Sequence, residues 1–173
     1  MSIGLLLLRL VVGLTLAAHG TQKLFGWFGG GGVDATAGAF EQLGFVPGKR
    51  GAVMAGLAET GGGVLLALGA ATPVAAAMVL GVMVVAIVSV HLKQGFFATQ
   101  GGYEYALVLG IAALSLAFTG PGPLSVDASL GLDLSGAAWG TGALVVGLLA
   151  SAVQLSSRRF APQRTAHPQP GSA

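Results

Sequence analysis

The sequence predicts an all-α integral membrane protein, an antiparallel four-helix bundle with an additional C-terminal transmembrane helix. Of its 173 residues, 54% are hydrophobic and only 8% are charged, and the mean hydropathy is +0.82. Soluble domains carry about 25% charged residues, so these charges are too few to build a water-facing surface. Five apolar runs, separated by segments rich in glycine and proline, give the number of predicted helices.

The remaining composition excludes several functional classes. The formal net charge is +2 and is scattered along the chain, whereas nucleic-acid-binding proteins usually cluster their basic residues on one face. No nucleic-acid partner is therefore expected. The absence of cysteine excludes disulfides, thiol catalysis and thiolate-ligated iron–sulfur clusters within this chain. The N-terminus lacks a basic segment and Arg9 interrupts its apolar run, which indicates a retained helix and not a cleaved signal peptide.

The first predicted helix, about Ile3 to Phe25, carries Arg9, His19 and Lys23 within an otherwise apolar run. An ionisable group in hydrocarbon costs about 2.5–3.5 kcal/mol on insertion scales unless it faces protein or water. At about 100° per residue the three side chains form one stripe, which we expect to face the interior of a bundle. In the alternative interpretation, His19 and Lys23 lie at the membrane interface and Lys23 extends its ammonium group to water.

The second predicted helix, about residues 51–68, carries Glu59 near its middle. A short interfacial helix, about residues 35–43, is predicted to lie on the membrane surface before it. Gly61 and Gly62 follow Glu59, and such small residues let a neighbouring transmembrane helix approach closely. This helix is therefore the expected packing partner of the first one.

The third and fourth predicted helices, about residues 73–92 and 103–119, carry the other polar residues and turn signals at their ends. Glycine and proline at these positions stop a helix. The residues concerned are His91, Gly101, Gly102, Tyr103, Glu104, Gly120 and Pro121. A fifth apolar run at 136–155 predicts another transmembrane helix, and the proline-containing tail at 161–173 is predicted to be disordered.

The distribution of lysine and arginine predicts the topology. With five spans, the basic residues that flank the first and third loops and follow the last helix fall on one side, whereas four spans would place Arg158 and Arg159 opposite the others. Basic residues concentrate on cytoplasmic loops. The expected localisation is a bacterial-type cytoplasmic (inner) membrane, with several spans, the N-terminus outside and the C-terminus in the cytoplasm.

This topology predicts a buried polar cluster in the bundle. Arg9 lies in its outer half, and its candidate partners are Asp127, Asp133 and Glu59. In the alternative interpretation, the glutamates only neutralise the basic residues and serve assembly; Glu59→Gln would then lower the level of protein in the membrane. No catalytic residue and no metal site are assigned. The members of the predicted cluster are Arg9, His19, Lys23, Glu59, His91, Tyr103 and Glu104.

Haem is a separate question, because His19 and His91 are predicted at similar depth on different helices, as axial ligation would require. Interface histidines that bind glutamates are far more common, so haem is not expected. No covalently attached cofactor is expected either.

Four motifs occur in order between about Leu5 and Asp127: LLLRLVVG-x5-HG-x2-KLFG, E-x-GGG-x2-L-x-LG, GFF…GGYEYAL and GPGPLSVD. Together they resemble the DoxX family. The resemblance implies a small four-helix membrane bundle over residues 1–128, with the helix at 136–155 as a departure from the family pattern.

The same resemblance implies an association with membrane redox systems, since members are linked to a quinone-reducing thiosulfate oxidoreductase, to terminal quinol oxidases and to oxidative-stress complexes. The expected function is an accessory subunit of a respiratory or other membrane oxidoreductase complex in electron transport, which helps assembly, partner docking or quinone access. Its expected partners are membrane lipid and larger redox subunits, with self-association as an alternative. The alternative functions are a stand-alone quinone-linked (thiosulfate:quinone-type) oxidoreductase component and a small-molecule or proton-coupled transport module.

Overall fold

The computed structural model describes residues 2–159, and helices make up most of this range. The predicted tail at 161–173 lies outside the described residues. A π-helical segment, Ile87–His91, and a short 3₁₀ turn, Leu92–Gln94, extend the fourth helix. The prediction of an all-α membrane fold is confirmed. The helices are α1 (Ser2–Phe25), α2 (Gly32–Gln42), α3 (Gly48–Leu68), α4 (Thr72–Ala86), α5 (Glu104–Thr119), α6 (Val126–Ser129) and α7 (Ala137–Ser156).

Four helices in the described range are long and apolar enough to cross a membrane: α1, α3, α7 and the extended α4, Thr72–Gln94. The apolar α5 is shorter, with 16 residues, which corresponds to about 24 Å at about 1.5 Å per residue. A hydrocarbon core is about 30 Å thick. The loops on either side of α5 therefore have to reach into the interfacial layers if α5 spans the bilayer.

Two groups of buried side chains hold the helices together. The first joins α1, α3, α4 and α5 and includes Leu16, Leu66, Val79 and Leu109. The second joins α4, α5 and α7 and includes small residues such as Ala76 and Ala143. The helix α7 therefore packs on the outside of a four-helix bundle and adds no buried residue to the first group.

Glycines bring the backbones of α1 and α3 into direct contact. A Cβ atom on Gly13 would lie 2.5 Å from the carbonyl oxygen of Gly63, and one on Gly20 would lie 2.5 Å from the backbone nitrogen of Thr60. Real side chains cannot occupy such positions, so only glycine permits this separation. The close approach puts the polar side chains of α1 within reach of α3.

The bundle has one distinctly basic end, at which α1, the extended α4 and α7 finish. The backbone N–H of Arg159 donates to the carbonyl of Gly44 (2.7 Å), which fixes the end of α7 against the loop before α3. At the other end, the N–H of Asp127 donates to the carbonyl of Gly69 (2.9 Å), after α3. We call the first of these the basic end; its basic residues are Lys49, Arg50, Lys93, Arg158 and Arg159.

The short helix α2 begins at Gly32 and ends at Gln42, whereas the sequence predicted about residues 35–43. The hydroxyl of Thr36 donates to the carbonyl of Gly32 (2.7 Å), which supports this earlier start. The ring of Phe40 rests in the space left by Gly51 of α3. The contact attaches α2 to the basic end of the bundle.

Candidate functional site

Lys23 of α1 and Glu59 of α3 form a buried ion pair. The Nζ atom of Lys23 lies 2.5 Å from Oε2 of Glu59, and the two side chains are 28% and 5% exposed, respectively. The pair forms because Gly20 and Gly56 let the two helices approach at this level. Because Glu59 is almost fully enclosed, the pair reaches the surface through the side chain of Lys23.

His19 and Tyr105 lie next to this pair. Their ring centroids are 6.0 Å apart with the planes inclined by 61°, an edge-to-face arrangement. His19 is half-buried and lies close enough to act electrostatically on Glu59, while Tyr105 is 48% exposed. The helices α1 and α5 pack against each other much less extensively than α1 packs against α3 or α5 against α4. We call the partly exposed surface formed by His19, Lys23 and Tyr105 the α1–α5 seam.

Arg9 forms a second polar centre at the opposite end of the bundle. It is 0% exposed, and its Nη2 donates to the carbonyl of Leu124. Asp127 is the carboxylate that acts electrostatically on it. Within residues 2–159, no hydrogen-bond acceptor reaches its Nε or Nη1. Of the three partners considered from the sequence, Asp127 is therefore the one that acts electrostatically on Arg9.

Asp127 also caps α4. Its carboxylate accepts hydrogen bonds from the backbone N–H groups of Ala71 (2.7 Å) and Thr72 (3.0 Å) and from the hydroxyl of Thr72 (2.7 Å). The first N–H groups of a helix have no partner within the helix, and a negative charge there is favourable. Asp127 of α6 thus binds the start of α4 and places its charge near the buried guanidinium of α1.

The structure does not bring the whole predicted cluster together. His91 donates from Nδ1 to the carbonyl of Gly101 (2.7 Å), and Glu104 accepts from the backbone N–H of Ala98 (3.0 Å). The ring of Tyr103 packs edge-on against that of Phe96 (5.5 Å). These three side chains stabilise the loop between α4 and α5. The Lys23–Glu59 pair instead has His19 and Tyr105 as neighbours, and Tyr105 was not among the predicted residues.

The predicted packing and turn residues have different surroundings. A Cβ atom on Gly62 would lie 3.2 Å from Met78 of α4, whereas one on Gly61 would meet only the tip of that side chain at 3.5 Å. Gly101 has a positive φ of 81°. Gly102 is buried against the preceding loop. Gly120, with φ 80°, ends α5 directly before the buried Pro121.

Gly69→Ala tests how tightly the second centre is packed. Gly69 has φ +64°, and an added Cβ would overlap Nη1 of Arg9 and lie 2.6 Å from Cβ of Ser125. Gly131→Ala is the matched control, since Gly131 has φ +68° but no atom within 4 Å of the added Cβ. Both variants carry the left-handed backbone cost of about 1 kcal/mol. We expect Gly69→Ala to cost about 1–3 kcal/mol more, measured by unfolding in sodium dodecyl sulfate (SDS); equal losses would contradict the packing.

No group of three or more histidine, aspartate or glutamate side chains is arranged to hold a metal ion within residues 2–159. The protonatable groups at the seam are a carboxylate, an ammonium, an imidazole and a phenol. The ammonium, imidazole and phenol can donate hydrogen bonds, the carboxylate can accept them, and all four can exchange protons with a bound polar molecule.

Comparison with known proteins identifies one family. The sequence model of the DoxX family matches residues 4–92. A Bacillus subtilis (strain 168) protein named "Putative oxidoreductase CatD" is 32% identical over 125 residues, which cover 72% of this chain and 85% of the relative. No solved structure matches the chain. The range matched by the family contains Arg9, His19, Lys23 and Glu59, and ends before α5.

Proposed function

Because the chain belongs to the DoxX family of membrane proteins, we propose that it is an accessory subunit of a membrane oxidoreductase complex. Its role there is to help assembly, to dock a larger redox subunit and to give a quinone access to protonatable groups. The relative that carries an oxidoreductase name supports the reaction class. We place this action at the α1–α5 seam.

The observation that carries this proposal is a buried ion pair whose lysine is partly exposed at the surface of the bundle. Ionisable side chains within a membrane are costly, and they usually mark a functional pathway or an internal partner. Glu59 has such a partner in Lys23, but the ion pair alone gives no role to His19 and Tyr105. Both rings belong to the seam, and Tyr105 is exposed enough for an aromatic or carbonyl-bearing molecule to reach it.

A quinone fits the chemistry of the seam. Its carbonyl oxygens accept hydrogen bonds, and Lys23, His19 and Tyr105 offer donors. Reduction of a quinone consumes two electrons and two protons. In the proposed role the electrons come from the partner subunit, and the groups at the seam supply or relay the protons.

The test is purification of the tagged, full-length chain from its native membrane in a mild detergent, with mass spectrometry and an optical redox spectrum on the same sample. We expect larger oxidoreductase subunits at fixed stoichiometry. Tyr105→Ala should reduce their recovery at least fivefold. Val145→Ala on α7 is the control, because both side chains are 48% exposed.

Two outcomes would contradict the proposal. A pure, colourless wild-type chain without redox subunits would favour an independent transport or catalytic module. If the redox subunits were recovered equally with Tyr105→Ala and with Val145→Ala, the partner would not dock at the seam.

We further propose that the basic end faces the cytoplasm of a bacterial cell, with five spans. The support is the positive-inside rule applied to Lys93, Arg158 and the other basic residues of that end. The chain has no cysteine, so single cysteines report position directly. Ser156→Cys at the end of α7 and Ser129→Cys at the end of α6 should react from opposite sides with a membrane-impermeant maleimide. Reaction of both from one side would contradict the arrangement.

A further inference from the structure

A long apolar groove runs along α4 between α3 and α7. It consists of two adjoining cavities of about 200 and 320 Å³. The first extends to Gln154 near the basic end, and the second extends to Trp139 near the opposite end. We call it the α3–α7 groove. The residues that line both of its cavities are Ala77, Met78 and Ala150.

The groove is long enough to hold a lipid chain. Along α4 its lining runs from Pro73 to Val85, which is about 18 Å at about 1.5 Å per residue. One leaflet of a bilayer contributes about half of a hydrocarbon core that is about 30 Å thick. The groove exceeds this depth and continues to Trp139 near the opposite end. A chain that enters from the basic end therefore occupies the first cavity and reaches the residues that both cavities share, and part of the second cavity lies beyond it.

Two arginines flank the mouth of the groove at the basic end, where the carboxylate of Glu41 accepts a hydrogen bond from the backbone N–H of Gly48 (3.2 Å). Arg50 is exposed and lies one helical turn before Met54, which lines the groove. Arg158 lies one turn beyond Gln154, which also lines it, and packs over the ring of Phe45 (5.5 Å). No aspartate or glutamate lines either cavity. Basic residues that flank a cleft between transmembrane helices suit an anionic lipid headgroup.

We propose that the α3–α7 groove binds one anionic phospholipid. One acyl chain lies along α4 beside Ala77 and Ala150, and the phosphate lies at the mouth, where Arg50 supplies charge and the amide of Gln154 supplies hydrogen-bond donors. The site uses α3, α4 and α7 and shares no residue with the α1–α5 seam. The proposal therefore stands apart from the redox role.

Native mass spectrometry of the full-length chain in detergent tests this site. The probes are phosphatidylglycerol and phosphatidylcholine with identical acyl chains, added at equal concentration. One cation near an anionic headgroup changes affinity about fivefold. We expect the wild type to retain phosphatidylglycerol at least fivefold better than phosphatidylcholine, Arg50→Gln to lose most of this preference, and Ala150→Leu to lose both lipids because leucine fills the groove.

Two variants serve as controls. Lys93→Gln removes an exposed cation from the basic end without touching the groove, and Ala152→Leu enlarges an exposed residue of α7 that does not line it. Both should bind like the wild type. Equal retention of the two lipids by the wild type, an unchanged preference in Arg50→Gln, or recovery of a neutral prenyl quinone in place of the phospholipid would each overturn the proposal.

Discussion

Replacing Asp127 with alanine is expected to lower the free energy of unfolding by about 3–5 kcal/mol, the range for breaking a buried charge pair by removing one member. Two losses combine in this variant. The start of α4 loses the acceptor for three hydrogen bonds from Ala71 and Thr72. Arg9, which is fully buried, also loses its neighbouring carboxylate. Unfolding in SDS, followed by circular dichroism, measures the change.

Asp133→Ala is the matched control for this loop. The Asp133 side chain is exposed and accepts a hydrogen bond from the hydroxyl of Ser135 (2.7 Å). Its removal should change stability by much less than the Asp127 variant does. Similar effects of the two aspartates would contradict the role given to Asp127.

Substitution of Arg9 tests the same charge network from the other side. Arg9→Met should cost less than Asp127→Ala, because Asp127 keeps its three hydrogen bonds when the guanidinium is gone. The double variant Arg9→Met/Asp127→Ala leaves no buried charge of either sign. We expect its loss to be smaller than the sum of the single losses by about 1–3 kcal/mol, as for residues in one charge network. Strict additivity would show that the two residues act independently.

At the other centre, Lys23→Met should be more damaging than Glu59→Gln. Removing Lys23 leaves a carboxylate that is 5% exposed without its cation, and the cost approaches the range of about 3–5 kcal/mol unless Glu59 takes up a proton. Glu59→Gln leaves Lys23, whose side chain is 28% exposed and can extend to water. The cost of that change should be about 1–2 kcal/mol. SDS unfolding and the amount of protein in the membrane are the two readouts.

The control for this pair is Lys49→Met. Lys49 belongs to the same end of the bundle, but its side chain is 71% exposed and its Nζ lies 3.8 Å from Asp34. Its loss should leave stability and accumulation unchanged within error. If Glu59→Gln accumulates like the wild type while a linked redox activity falls, the pair has a chemical role as well as a structural one. If Lys23→Met is as stable and accumulates as well as Lys49→Met, the Lys23–Glu59 pair contributes nothing to stability.

The sequence predicted the class of fold because composition and the lengths of apolar runs are sufficient for that purpose. Helical rise also gives the relative depth of ionisable residues along each predicted helix. The sequence could not determine which way a helix faces its neighbours. His91 and Glu104 were therefore grouped with Glu59 on the basis of depth, although they bind the loop between α4 and α5.

Two other details needed the three-dimensional contacts. Tyr103 and Tyr105 are separated by a single residue, and nothing in the sequence indicates that Tyr105 is the one beside His19. The partner of Arg9 was narrowed to three carboxylates, and the choice depends on the turn that brings Asp127 over the start of α4. The contact between Tyr105 and His19 could have been suggested by their similar predicted depth in the membrane.

The pairing of Arg9 with the end of the bundle has a consequence for synthesis of the protein. The carbonyl that accepts from Arg9 belongs to Leu124, which lies 115 residues downstream. At about 5–20 residues per second, roughly 6–23 s pass between translation of the arginine and of its partners. During this interval the first helix has already left the ribosome with an unmatched cation. The insertion machinery must therefore shelter this helix, and its release into lipid has to wait until nearly all of the bundle has been made.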